Sequence, residues 1–350
     1  FEFHKKLRQL TFFDPACGCG NFLVISYREL RLLELQVLRA SHELSGLGGQ
    51  QSVDVHSLIG VDVDQFYGIE IEEFPAQIAQ VALWLADHQM NLRVSEEFGL
   101  YFARIPLKTS PRIVHGNALR LDWNAVLPAE RCSFVLGNPP FVGKKEQSVA
   151  QKADFEPVVG NINGFGVLDY VSAWYVKSAR YMQPSTEGLA SHIRCAFVST
   201  KSITQGEQVG VLWSWLLAQG VHIQFAHRTF SWSNEARGNA AVHCVIVGFG
   251  MEDKPEKRIF DYVDIKGEPH PIAAAHINPY LVDAPNTLLA KRSKPICNVS
   301  PMMEGSALID DGHFIVSTED FEQLGSVEPN TCQLLRKLYS GKDFLNGGFR

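Results

Sequence analysis

Short apolar runs alternate with longer amphipathic stretches over the first 250 residues of the chain. Seven apolar runs predict strands, at residues 10–13, 66–72, 112–115, 133–137, 193–198, 221–226 and 241–249. Apolar residues spaced three or four apart predict helices between most of these strands, at residues 23–37, 75–85, 168–178 and 209–216. This alternation is typical of an α/β fold with a mostly parallel sheet. No helical spacing separates the last two runs, so we expect them to form a terminal β-hairpin.

Two further stretches bear on the organisation of the chain. After residue 250, proline and polar residues increase and the periodicity fades. We therefore predict one domain over residues 1–250, a connecting segment over 251–300, and the beginning of a target-recognition domain, cut short, over 301–350. Residues 144–165 are polar and dotted with glycine, which predicts a long loop of a kind that is often functional. The predicted second helix starts at Pro75 and places Ile78, Val81, Ala82 and Leu85 on one apolar face.

The composition is ordinary for a soluble globular protein, because 45% of the residues are apolar and 20% are charged. No apolar run is long enough to cross a membrane as a helix. Seven scattered cysteines indicate reduced thiols and a cytoplasmic location. The net charge of −6 argues against broad, unspecific binding to nucleic acid, although it leaves room for a local basic channel. The chain begins at Phe1 instead of Met, which indicates an excerpt of a longer polypeptide.

A glycine-rich turn, Asp14 to Phe22, joins the first predicted strand to the first helix. Glycines let the backbone approach a ligand closely, and a helix N-terminus offers free N–H groups, so this arrangement is typical of a nucleotide-type cofactor site. A dinucleotide site would have a third glycine where this chain has Leu23, which counts against a dehydrogenase. Cys17 and Cys19 lack the spacing and the partner pair of a zinc site, so no metal is predicted.

Polar residues follow the next two predicted strands. A carboxylate near the end of the second strand can accept hydrogen bonds from ribose hydroxyls, and Glu70 is the candidate for this role. Asp62 is the weaker candidate, because no comparable helix follows it directly. Asn117, after the third strand, is a candidate for reading the edge of a bound purine.

The fourth predicted strand runs into Asn138-Pro139-Pro140-Phe141. Two consecutive prolines cannot donate to a strand ladder, so pairing stops there and the backbone is held extended. The side-chain oxygen of Asn138 and the carbonyl of Pro139 can accept both N–H bonds of a planar amine, and Phe141 can stack on its ring. Taken alone, these residues are equally consistent with a stiff turn after a strand.

In their order along the chain, these motifs resemble the adenine-specific DNA methyltransferases, in particular the methyltransferase region of the single-chain type IIG and IIL restriction–modification enzymes. The matching stretches are Asp14–Phe22, Tyr67–Glu72, Gly116–Leu119, Asn138–Phe141, Leu168–Tyr170 and Glu235–His243. The cofactor motif precedes the catalytic motif, which is the γ order. The resemblance implies a class I S-adenosylmethionine-dependent methyltransferase fold, Rossmann-like, with a seven-stranded mostly parallel sheet and a terminal β-hairpin.

The resemblance also implies what each motif binds, with S-adenosylmethionine as the cofactor. The implied cofactor-binding residues are Asp14, Pro15, Ala16, Gly18, Asn21, Phe22, Glu70, Ile71, Asn117 and Ala118. The implied catalytic residues are Asn138, Pro139, Pro140 and Phe141, which would hold the exocyclic N6 amine of a flipped-out adenine. An aromatic residue of the polar loop 227–240, Phe230 or Trp232, is expected to line that pocket. The implied partners are double-stranded DNA and flanking nuclease and target-recognition domains, in a restriction–modification system.

Two points qualify the resemblance. About ten residues precede Phe12, so we expect the helix that closes the cofactor pocket in this family to be absent and cofactor binding to be weak. Methyltransferases that act on protein glutamine or on an RNA guanine amine also use Asn-Pro-Pro, usually followed by Tyr, whereas Phe141 favours DNA adenine. A non-catalytic cofactor-binding scaffold in a restriction complex is a further alternative, which the intact Asn138–Phe141 motif disfavours.

Overall fold

The computed structural model describes residues 2–44, 59–98, 110–183, 191–232 and 242–292, with 294, 297–299, 315 and 317. The chain divides into two units, residues 1–291 and 292–350. Every helix and strand given below belongs to the first unit. None of the helices within the described ranges is long and apolar enough to span a membrane.

One sheet contains the nine strands found in the described residues, in the order β3-β2-β1-β4-β5-β7-β6-β8-β9. The strands are β1 Phe12–Asp14, β2 Phe66–Glu70, β3 Arg112–His115, β4 Phe134–Gly137, β5 Arg194–Thr200, β6 His222–Trp232, β7 Val242–Gly250, β8 Lys257–Asp261 and β9 His270–Ala274. Strands β1 to β5 run parallel to one another, and β7 is antiparallel to both β5 and β6. The predicted α/β fold with a mostly parallel sheet and a β6–β7 hairpin is confirmed.

The sheet continues past the hairpin into a segment that the sequence predicts to be a connection. Strand β8 pairs in parallel with β6, and β9 pairs antiparallel with β8. The prediction of seven strands is therefore wrong by these two. Strand β8 starts with Lys257 and Arg258 and ends with Asp261, and β9 is mostly exposed and contains Pro271, so neither has the apolar pattern of a central strand.

Seven α-helices are assigned in the same residues: α1 Glu2–Gln9, α2 Asn21–Leu44, α3 Glu73–Phe98, α4 Trp123–Val126, α5 Val149–Val159, α6 Ser172–Tyr181 and α7 Glu207–Ala218. Helix α5 lies within 144–165, so the prediction of a long structureless loop there is wrong. A capping box starts this helix, because the side chains of Ser148 and Gln151 each accept the backbone N–H of the other residue. The interior proline, Pro157, obscures the helical pattern in the sequence.

Apolar side chains cover both faces of the sheet. On β1, Phe12 stacks on Phe66 and Phe134 of the flanking strands, with ring centroids 4.9 and 5.2 Å apart. The next residue, Phe13, points to the other face and meets Trp123 edge-on. The first face packs with α2 and α3, and the second with α4 to α7. Such a two-sided core explains why the central strands are short and almost entirely apolar.

Helix α3 turns a different face to the sheet from the one that its larger apolar residues predict. Val81 and Leu85 are 50% and 57% exposed, whereas Ala76, Ala79 and Leu83 are buried. A Cβ atom at Gly20 would lie 3.0 Å from the Cβ of Ala79, so small residues are needed where α3 packs against the glycine-rich turn. The predicted orientation of this helix is therefore wrong, because close packing selects alanine over bulk.

An eight-residue helix, α1, precedes β1, although the sequence analysis expects none there. In α1, His4 contacts Glu34 of α2. The backbone carbonyl of Leu7, also in α1, accepts a hydrogen bond from the side chain of Gln65, which directly precedes β2. Helix α1 thus lies at the edge of the sheet where the parallel strands begin. The glycine-rich turn, Asp14–Phe22, follows the other end of β1. The expected weak cofactor binding stays a prediction.

Candidate active site

Three of the predicted site residues lie where neighbouring parallel strands end. Strand β1 lies between β2 and β4, with Phe12 opposite both Phe66 and Phe134. Asp14 ends β1, Glu70 ends β2, and Asn138 directly follows β4. The chain changes direction across the sheet between β1 and β4, and such a switch point is where ligands bind in open α/β sheets. The fold therefore brings the cofactor and catalytic motifs to one edge.

Asp14 is buried, and half of its carboxylate has no hydrogen-bond partner. Its Oδ1 accepts the N–H of Ala16 at 3.0 Å, whereas Oδ2 has no partner within the part of the chain that the structure describes. A Cβ atom at Gly137 would collide with Asp14 Oδ1, so glycine is required where β4 passes this side chain. Burial raises the pKa of Asp14 to about 7, and the charge of Glu70 adds to this rise, while the Ala16 hydrogen bond opposes it.

The Glu70 carboxylate holds the glycine-rich turn in place by accepting hydrogen bonds from backbone N–H groups. Its Oε2 accepts the N–H of Gly18 at 2.8 Å, and its Oε1 accepts the N–H of Glu72 at 3.1 Å. Gly18 has a φ of +54°, a left-handed conformation that favours glycine. Next to Glu70, Ile71 is 56% exposed and available to a ligand.

The remaining cofactor candidates surround the same turn. Pro15 is buried, Ala16 and Phe22 are half-buried, and Asn21 is exposed at the start of α2. The indole N–H of Trp174, on α6, donates to the carbonyl of Pro15 at 3.1 Å. Trp174 is thus a core residue that supports the turn, as its helical spacing predicts.

The catalytic candidates form an extended segment after β4. The side-chain Oδ1 of Asn138 is buried and lacks a partner among the described residues. Pro139 is buried, Pro140 is exposed, and Phe141 is half-buried with one side against the core. A buried acceptor without a partner costs free energy, so it marks a position where a donor belongs. The geometry leaves Asn138 ready to accept an N–H from a ligand.

The carboxamide of Asn117 is already engaged within the protein. Its Oδ1 accepts the N–H of Leu119 at 2.9 Å, and its Nδ2 donates to Asp154 Oδ2 at 2.7 Å. One N–H and one lone pair of the carboxamide remain, so the reading of a purine edge by this side chain stays a prediction. The hydrogen bonds fix the turn that follows β3, so that this turn can border a ligand through its backbone and the buried Ala118.

Two charged residues that the sequence analysis does not single out stabilise this turn. Asp154 lies on α5 and also binds Arg120. Lys177, on α6, donates to three backbone carbonyls of the turn, those of Ala118, Leu119 and Leu121. Burial lowers the pKa of Lys177 to about 8. The Ser148-x-x-Gln151 spacing is the signal that could have revealed α5 and hence Asp154.

Other predictions concern the aromatic residues at the end of β6 and the weaker candidate for the ribose contact. Phe230 stacks on Tyr262, with ring centroids 5.4 Å apart. Phe230 and Thr200, the last residue of β5, are both paired with Cys244 of β7, so Phe230 lies near the end of β5. The side chain of Trp232 and most of the motif Glu235–His243 lie outside the described residues. Asp62, the weaker ribose candidate, caps a 3-10 helix over Val63–Gln65 instead.

Two family models match this chain. Residues 1–261 match the family model for the DNA-methyltransferase domain of MmeI, and residues 283–350 match the model for its target recognition domain. DNA methyltransferase A of Bacillus subtilis (strain 168) is 37% identical over 349 residues, which are 99% of this chain and 38% of that protein.

A solved structure gives a similar result. The type IIL restriction–modification enzyme MmeI, determined in complex with DNA, is 57% identical with a TM-score of 0.91, over 99% of this chain and 45% of that one. The chain therefore spans less than half the length of either relative.

Proposed function

Because the chain belongs to the MmeI family of DNA methyltransferases, we propose that it methylates the exocyclic N6 amine of an adenine flipped out of double-stranded DNA. The observation that carries this proposal is the buried Oδ1 of Asn138 directly after β4, which has no hydrogen-bond partner among the described residues and lies beside Pro139, Pro140 and Phe141. The modification serves a restriction–modification system, and the recognition segment matched over 283–350 selects the DNA sequence.

The residues at the sheet edge fit S-adenosylmethionine. The Oδ2 of Asp14, which has no partner in the described part of the chain, suits the cationic amino group at the methionine end, and Glu70 suits the ribose hydroxyls. Ile71 and the turn at Asn117 and Ala118 border the adenine of the cofactor. When bound, S-adenosylmethionine supplies a methyl group on a positively charged sulfur.

The chain itself positions the amine that receives the methyl group. An aromatic amine is a poor nucleophile, because its lone pair is delocalised into the ring. Asn138 Oδ1 and the carbonyl of Pro139 accept its two N–H bonds and so favour a pyramidal nitrogen, and Phe141 stacks on the ring. Catalysis then depends on positioning and electrostatics, and the surplus proton leaves to solvent. A base within a duplex is out of reach, so the target has to be flipped out.

Incubation of the purified protein with S-adenosylmethionine carrying a labelled methyl group, and with unmethylated genomic DNA, tests this function. After digestion to nucleosides, we expect the label in N6-methyladenine. Parallel incubations with ribosomal RNA and with a protein release factor test the related activities. Label in RNA guanine or protein glutamine instead of DNA would contradict the proposal, and cofactor binding without transfer to any substrate would favour a scaffold.

The proposed contact of Asp14 with the cofactor predicts a pH dependence. Below pH 7 the buried carboxyl is protonated in the free protein, and it has to lose that proton to pair with a cation. We expect the dissociation constant to rise about tenfold per unit as the pH falls below about 7. Titration calorimetry between pH 5.5 and 7.5 measures it.

Asp14→Asn is the control for this dependence. The amide removes the charge that burial disfavours, so the variant should fold, and above pH 7 it should be more stable than the wild type, whose stability falls as the pH rises from about 4 to 7. It should bind the cofactor weakly and without the pH dependence. A wild-type affinity that stays constant from pH 7.5 to 5.5 would exclude Asp14 as the titrating ligand.

A further inference from the structure

The motif Leu168-Asp169-Tyr170 has no role in the site described so far, yet Asp169 joins three segments of the chain. Its Oδ1 accepts the backbone N–H of Lys144 at 2.9 Å, and its Oδ2 accepts the hydroxyl of Ser202 at 2.6 Å. Its own N–H donates to Gln208 Oε1 at 2.9 Å. One half-buried carboxylate thus connects the segment after the catalytic motif with the 3-10 helix Lys201–Thr204 that follows β5.

These contacts hold the far end of the catalytic segment. The N–H of Tyr170 donates to the carbonyl of Val142 at 2.9 Å, two residues before the N–H that Asp169 accepts. Pro139 and Pro140 have no N–H of their own to donate. The segment is therefore held by β4 at one end, and by Asp169 and Tyr170 at the other.

The anchored end lies next to the groups that would touch the base. Phe141 directly precedes Val142, and both side chains pack against the core without being fully buried. The path of the backbone at Val142 and Lys144 sets where the ring of Phe141 and the oxygen of Asn138 point. A displacement of about 1 Å at reacting groups is enough to cost about a hundredfold in rate.

The partners of Asp169 are neutral, which separates a positioning role from a chemical one. Among the described residues, no Lys, Arg or His forms an ion pair with Asp169. Ser202 Oγ also lies 2.7 Å from Thr200 Oγ1. An amide at position 169 could accept the Lys144 N–H and donate to Ser202, whose hydroxyl would then turn toward Thr200. The geometry needs an acceptor at this point and does not need a negative charge.

From this geometry, and resting on the proposed methyltransferase function, we propose that Asp169 is a positioning residue for methyl transfer. It fixes the segment Asn138–Lys144 so that Asn138 and Phe141 face the flipped base. It neither touches the cofactor nor accepts the proton that the amine releases.

Three variants test the role. In Asp169→Ala, kcat for DNA methylation should fall about ten- to hundredfold, while the KM for S-adenosylmethionine stays within about twofold. In Asp169→Asn, kcat should recover to within about threefold of wild type, because the amide keeps the Lys144 hydrogen bond. Asp264→Ala is the matched control, because Asp264 also accepts a backbone N–H, that of Lys266, but lies in the turn between β8 and β9. It should leave kcat unchanged.

Two kinetic outcomes would overturn the proposal. Asp169→Asn as inactive as Asp169→Ala would mean that the negative charge itself is required. Asp169→Ala with the kcat of the wild type would mean that the anchor is dispensable.

Hydrogen exchange at the amide of Lys144 tests the anchor without any substrate. This amide should exchange at least tenfold faster in Asp169→Ala than in the wild type, and close to the wild-type rate in Asp169→Asn. An unchanged rate in Asp169→Ala would overturn the anchor. A wild-type protein that transfers no methyl group to DNA would contradict the proposed function instead, and the exchange rates would still decide whether Asp169 holds the segment.

Discussion

Replacing Asn138 by alanine is expected to lower kcat for DNA methylation by about a hundredfold to a thousandfold. The side-chain oxygen is one of two acceptors available to the amine, and its hydrogen bond strengthens as the nitrogen becomes pyramidal and acquires positive charge. The proposed cofactor-binding residues Asp14 and Glu70 end other strands, so the dissociation constant for S-adenosylmethionine should stay within about twofold of wild type. Single-turnover kinetics with labelled cofactor, together with calorimetry, measure the two quantities.

The effect on stability distinguishes this variant from one that is merely damaged. Asn138 Oδ1 is buried and has no hydrogen-bond partner among the residues that the structure describes, so its removal relieves an unsatisfied acceptor. We expect the melting temperature to stay the same or to rise. Asn161→Ala is a suitable control, because Asn161 is exposed. Within the described residues, its side-chain oxygen accepts a hydrogen bond only from Arg180 of α6. Methyl transfer at the wild-type rate by Asn138→Ala would exclude Asn138 as the acceptor.

The features of the site that depend on strand ends could be predicted from the sequence. Asp14, Glu70 and Asn138 each follow an apolar run, and the carboxyl ends of parallel strands necessarily meet at one edge. The hydrogen-bond partners of each side chain at that edge could not be predicted in the same way. Asn117 is the clearest case, because its carboxamide binds Asp154, which lies on a helix that the sequence pattern conceals.

Side-chain size indicates the wrong buried face of α3 for a related reason. Periodicity identifies which residues share a face of a helix, but it does not identify which face the rest of the protein covers. Here the covered face includes Ala76 and Ala79, and Gly20 of the glycine-rich turn lies so close to Ala79 that a Cβ atom at Gly20 would be 3.0 Å from the Cβ of Ala79. Contacts between segments distant in the sequence decide which face of a helix is buried. Such contacts also decide which charged residues are buried between α2 and α3.

Replacing Arg31 by methionine is expected to lower the free energy of unfolding by about 3–5 kcal/mol. Arg31 on α2 is fully buried and faces two carboxylates. Its Nη1 lies 3.4 Å from Asp87 Oδ1 on α3, and its Nε lies 3.7 Å from Glu34 Oε2. Nη2 also donates to Asn91 Oδ1 at 3.0 Å. Methionine fills much of the same volume but removes the guanidinium that faces Glu34 and Asp87, and buried carboxylates that lose a facing positive charge are costly. Urea denaturation at pH 7 measures the loss.

A matched exposed arginine provides the control for this substitution. Arg28 is on the same helix and pairs with Glu29, but both side chains are more than half exposed, at 52% and 58%. Arg28→Met should change the free energy of unfolding by no more than about 0.5 kcal/mol. A loss of the same size in both variants would show that the burial of Arg31 does not matter.

Charge, as distinct from shape, can be isolated by neutralising the carboxylates. Adding Glu34→Gln and Asp87→Asn to Arg31→Met removes the two carboxylate charges that the guanidinium faced and keeps most of the volume, so part of the lost stability should return. Because Glu34 Oε1 accepts the N–H groups of Gly60 and Val61, this network ties α2 to the chain entering β2, which ends at Glu70. Loosening it should therefore weaken cofactor binding at a distance, whereas Asn138→Ala should not.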